Sequence, residues 1–148
     1  MNQTRKYRLK SMPRAQCYVE IVECFNLGPD DFDTDTLAPD SVVVTLVSYD
    51  TRVLSIVHDY VSAPRSVALF ATGTYSNTTA RHINRFTTEF FGRNLYRNVK
   101  EMSAPRTVDI LGTKMYPVLR NENETMLDRV YEAIDDYIQS GERFRGYY

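Results

Sequence analysis

The stretch SVVVTLVSYDTRVLSIVHDYV, residues 41–61, decides the fold. Two runs dominated by Val, Leu and Ile flank the polar tetrad Ser48-Tyr49-Asp50-Thr51. β-Branched side chains crowd the preceding turn of a helix but pack well on a pleated surface, so both runs read as strands. The polar break then makes the stretch either a hairpin or one long bent strand.

Working outward, CYVEIVEC at residues 17–24 alternates β-branched and other residues and is read as a strand. A helical stripe through Val19, Val22 and Glu23 is the competing reading. GPDDFDTDTLAPD, residues 28–40, is a loop by its Gly28-Pro29 pair, Pro39 and five aspartates. A third strand-like piece, Ser66 to Ala71, lies between Pro64 and Gly73, and successive strands favour an antiparallel meander. TVDILGTKMYPVL, residues 107–119, suggests a short strand pair around Gly112-Thr113.

Two segments carry helical periodicity instead. In TYSNTTARHINRFTTEFFG, Ile83, Phe86 and Phe90 follow i, i+3, i+7; Thr74 or Ser76 suits the N-cap and Gly92 the C′ position. In ENETMLDRVYEAIDDYIQSG the apolar face is Met126, Leu127, Val130, Tyr131, Ile134, Tyr137 and Ile138, opened near Asn123 and closed by Gly141. The expectation is one α+β domain over residues 1–148, with an antiparallel sheet of about 4–5 strands packed on two main helices, near 76–91 and 124–140. Residues 1–14 and 142–148 lack periodicity and are candidates for flexible ends.

The 148 residues are 43% hydrophobic and 25% charged, which excludes collagen-like, disordered and membrane-protein compositions. Cys17 and Cys24 sit seven apart, roughly 23 Å on a strand or about 10 Å on a helix, too far for a mutual disulfide. With no C-x-x-C pair and no secretory apolar run, they read as reduced thiols of a cytosol-like compartment. The net charge of −1 conceals segregation. Residues 1–14 hold five cations and no acid, residues 15–40 seven acids and no cation, and residues 61–100 six cations against Glu89.

The usual chemical signatures are missing. Asp31, Asp33 and Asp35 open like a calcium loop, but Thr36 stands where the sharp turn needs Gly and Val42 where a bidentate Glu belongs. No Gly-rich phosphate loop exists, and the two histidines, His58 and His82, have no zinc-like spacing. An acid–base role for His82 is weighed below a capping role. No cofactor, metal or catalytic residue is expected, and the chain is read as non-enzymatic.

What remains is charge. Arg81, Arg85, Arg93, Arg97 and Lys100, interleaved with Tyr75 and Tyr96, form a basic strip of the kind that grips phosphates and stacks bases. Nucleic-acid binding is therefore the leading expectation. The alternative is a protein-interaction module whose acidic loop, 30–40, presents Asp30, Asp31, Asp33 and Asp35 to a host protein. No membrane contact is expected, and a homo-oligomer stays open.

SYDTRV at 48–53 followed by TYSNTTARHINRF at 74–86 resembles a block, S-Y-x-T-x-V then Y-S-x-T-T-x-R-H-I-x-x-F, of small bacteriophage-encoded proteins of unknown function. Ser48, Tyr49, Thr51, Val53, Tyr75, Ser76, Thr78, Thr79, Arg81, His82, Ile83 and Phe86 carry the resemblance. It brings no activity or catalytic residue. It implies a phage protein acting in the cytoplasm of the infected bacterium.

Overall fold

The computed structural model describes residues 2–25, 39–73, 75–102 and 106–147. Seven antiparallel strands form one curled sheet, a half-barrel, in the order β1-β2-β3-β4-β5-β7-β6. The strands are β1 (Asn2–Arg8), β2 (Cys17–Cys24), β3 (Ser41–Ser48), β4 (Thr51–Asp59), β5 (Val67–Ala71), β6 (Val108–Ile110) and β7 (Thr113–Asn121). Three helices accompany them: α1 (Asn77–Phe91), α2 (Tyr96–Lys100) and α3 (Glu124–Ser140).

This corrects the smaller sheet of about 4–5 strands expected from the sequence. The strand that the sequence pattern does not announce is β1, NQTRKYR. Its cations hide the pattern because the outermost strand of a sheet tolerates charge. Its register is nonetheless complete, from Asn2 opposite Cys24 to Arg8 opposite Tyr18. The tail reinforces it: Phe144 N–H donates to Lys6 O at 3.0 Å and Arg8 N–H to Glu142 O at 2.8 Å. Residues 2–8 thus form a full strand, and the tail adds one isolated bridge, Arg143 to Tyr7.

Alternation divides the sheet into two unlike faces. One face, with Val19, Ile21, Val44, Leu46, Leu54, Ile56 and Leu69, packs against Ile83, Phe86 and Phe90 of α1 and Val130, Ile134 and Tyr137 of α3. On the opposite face Val22, Val43, Ala68, Phe70, Ile110 and Met115 form a second, smaller cluster. β-Strands buried on both faces read as continuous apolar runs, which explains the composition of residues 41–57.

The hairpin of the opening stretch turns in two residues, Tyr49 (φ 51°) and Asp50 (φ 65°). Two consecutive positive φ values match the twist of paired strands, a geometry usually given to Asn-Gly. A bulky Tyr in that region is uncommon. Beyond the turn a bulge leaves Val53 without a partner, since Leu46 pairs with Leu54 and Val47 with Arg52. The extra residue re-phases the strand, so Arg52 joins Val47 on the face away from the helices.

Candidate functional site

α1 begins where the motif residues converge. Ser76 is its N-cap, its Oγ accepting from Thr79 N–H at 3.2 Å. One turn further, His82 Nδ1 shares a hydrogen bond of 2.8 Å with Ser48 Oγ, which lies 3.1 Å from Thr79 Oγ1. These three polar side chains are buried and tie the end of β3 to the first turns of α1. Burial, and next the charge of Arg81, push the His82 imidazole below its ordinary value. A neutral imidazole fits that site, because a buried cation would lack a carboxylate among these partners.

The basic strip expected from the sequence is divided by the fold. Arg81 and Arg85 are exposed on α1, one turn apart, and among the described residues neither makes an ion pair. Gly92, in the left-handed conformation (φ 78°), then ends the helix, and its N–H donates to Thr88 O. A Cβ there would also strike the Arg129 guanidinium, which lies against the glycine. Arg93, Arg97 and Lys100 follow on the turn and on α2; all are exposed, and Arg97 is held at 3.0 Å by Glu101.

The two rings expected to stack on bases are committed elsewhere. Tyr75 Oη accepts from Thr72 N–H and Gly73 N–H, both at 2.8 Å, and donates to Val53 O at 2.9 Å, fastening the bulge. Tyr96 is half-buried and packs on the main core. An exposed ring near α1 is Tyr49, 52% exposed at the hairpin tip, its centroid 5.9 Å from that of His82. Its signal in the sequence was a bulky residue inside a two-residue turn. Asp30, Asp31, Asp33 and Asp35 lie outside the described residues.

Compared with known proteins, the chain matches no family model, no curated protein and no solved structure. The site is therefore read from its own geometry. No group of His, Cys, Asp and Glu suited to a metal ion occurs among the described residues. No described helix is long and apolar enough to cross a membrane.

Two further polar clusters brace the helices. Glu89 accepts from Tyr137 Oη and from Ser11 N–H and Oγ, and Tyr137 Oη accepts from Lys10 N–H at 2.9 Å. Burial, then the Glu89 charge, raise the Tyr137 phenol far above its usual range, so it remains a donor. His58 lies between Tyr131 Oη, 2.5 Å from Nδ1, and Pro64 O, 2.9 Å from Nε2. The acceptor at Pro64 fixes the proton on Nε2 and leaves Nδ1 to accept from the tyrosine. Burial raises the Tyr131 phenol as well, and in Cys17 it lifts the thiol to about 12, a value suited to packing and not to reaction.

Proposed function

We propose that the chain is a non-enzymatic nucleic-acid-binding module that grips phosphates through the exposed face of α1. The observation that carries this reading is the pair Arg81 and Arg85. They stand one turn apart, exposed and without an ion-pair partner among the described residues, on a helix whose first turn holds no acid. Tyr49, exposed beside His82, offers a ring on which an unpaired base stacks, a contact worth about 1–3 kcal/mol.

Arg93, Arg97 and Lys100 extend the phosphate track past Gly92. The outer residues of α3 repel phosphate: Asp128, Glu132, Asp135 and Asp136 are all exposed there. This contrast confines an anionic ligand to the α1 and α2 side and explains how a chain with net charge −1 still presents a basic surface. The resemblance to phage-encoded proteins and the two free cysteines support action in the cytoplasm of an infected bacterium.

Fluorescence anisotropy with labelled single- and double-stranded oligonucleotides tests the reading. Wild-type protein is expected to bind, and Arg81→Glu with Arg85→Glu to abolish binding while leaving the fold intact, since both side chains are exposed. Unchanged binding by a folded double variant would sink it.

A further inference from the structure

The face away from the helices holds an open polar cavity of about 530 Å³, lined by Lys6, Tyr18, Glu20, Asp50, Arg52 and Thr113 among others. That volume falls within the ~300–1,000 Å³ of small-ligand sites. It lies across the sheet from the α1 core and is built from a different set of residues.

Glu20 is the unusual member. Its side chain is 5% exposed, and Arg52 Nη2 holds its Oε1 at 3.1 Å. The other oxygen, Oε2, takes no hydrogen bond from any described residue. That oxygen is not sealed in the protein interior, so it is free to accept from a ligand in the cavity. Arg52 is itself fixed at both ends, because its Nη1 donates to Leu111 O at 3.0 Å in the β6–β7 turn. The pair is therefore a rigid fixture in the cavity wall, placed there by the bulge at Val53.

The remaining lining narrows the ligand. Lys6 and Arg52 balance Glu20 and Asp50, so neither a polyanion nor a polyamine is favoured by net charge. Lys6 Nζ stands 5.5 Å above the Tyr18 ring and makes no ion pair among the described residues. Thr51 and Thr113 add hydroxyls that both donate and accept. A neutral group bearing adjacent hydroxyls suits such a wall, each hydroxyl donating to a carboxylate oxygen while accepting from a cation.

We propose that this cavity binds a sugar ring through a vicinal diol, with Glu20 as the acceptor and Lys6 and Thr113 as flanking contacts. The diol comes either from the ribose of a nucleoside or from a free hexose. The proposal stands apart from the phosphate-binding reading, because Arg81 and Arg85 lie outside the cavity.

Isothermal titration and saturation-transfer NMR on the full chain separate the sources. The probes are adenosine and uridine, their 2′,3′-dideoxy counterparts, and glucose, mannose and galactose. Saturable binding is expected from one family. If that family is the nucleosides, the dideoxy compounds should bind at least ~10-fold more weakly, as loss of a hydrogen bond to a charged group implies. Glu20→Gln should weaken binding by a similar factor. Should that variant fail to fold, Thr113→Val, on the cavity rim, is expected to weaken binding several-fold. Binding of dideoxy and ordinary nucleosides with equal affinity, wild-type affinity in a folded Glu20→Gln, or no saturable binding of either family would overturn the proposal.

Discussion

Ser48 Oγ lies 2.8 Å from His82 Nδ1, joining residues 34 positions apart across the boundary between sheet and helix. With Thr79 Oγ1 at 3.1 Å, the hydroxyl is shared by two α1 side chains, and all three side chains are buried. Ser48→Ala removes the partner of a buried imidazole, a loss that costs about 1–3 kcal/mol. Urea unfolding followed by circular dichroism should show a lowered midpoint at unchanged m. A change below about 0.5 kcal/mol, the scatter of surface substitutions, would mean the bond contributes nothing.

His82 also sets an acid limb. Its imidazole in the folded chain titrates below the ordinary 6.5, chiefly through burial. As pH falls the unfolded chain takes up this proton first, so the contribution is complete above about 6.5 and is lost as pH drops toward the depressed native value. His82→Gln should flatten the stability curve between pH 6.5 and about 5, above the range where carboxylates take over. An identical slope in that window for wild type and variant would contradict the assignment.

Removing Arg52 strands Glu20. Breaking a fully buried pair costs about 3–5 kcal/mol, but the Arg52 side chain is 37% exposed, so Arg52→Ala should cost nearer about 2 kcal/mol. Replacing both residues together, Arg52→Met with Glu20→Gln, should recover most of the loss, because no unpaired charge is left behind.

Tyr49 is held at φ 51° without the freedom of glycine or asparagine. Such a residue stores strain of order 1–3 kcal/mol and is found where function keeps it. Tyr49→Asn should therefore raise the thermal midpoint, by the equivalent of about 0.5–1 kcal/mol, while weakening single-stranded oligonucleotide binding. A variant that is less stable and binds as well would remove both the strain and the stacking role.

Much of the architecture was legible where one physical signal dominated. The β-branched runs on either side of Ser48-Tyr49-Asp50-Thr51 narrowed the stretch to a hairpin or one bent strand, and Thr74 or Ser76, Gly92 and Asn123 bounded helices whose apolar spacing was already clear. β1 was illegible because its pairing is backbone chemistry, and its charged side chains belong to an edge and to the cavity rim. The polar wall at Glu20 and Arg52 was hidden for a different reason. The bulge at Val53 shifts the phase of β4 by one residue, and alternation alone puts Arg52 on the wrong face. At the basic strip, charge could be read from the sequence but the commitment of Tyr75 to the bulge carbonyl could not, since it depends on contacts 22 residues away.

The salt dependence of oligonucleotide affinity tests the central claim most directly. Each neutralised phosphate contributes a slope of about −0.7 on single strands or −0.9 on duplex in log K against log salt. Engagement of Arg81 and Arg85 with neighbours on α2 predicts a steep line for wild type, with a slope shallower by about 1.4–1.8 once Arg81 and Arg85 are both replaced by alanine. A wild-type affinity insensitive to salt, or a double variant with the same slope, would contradict a phosphate-binding face on α1.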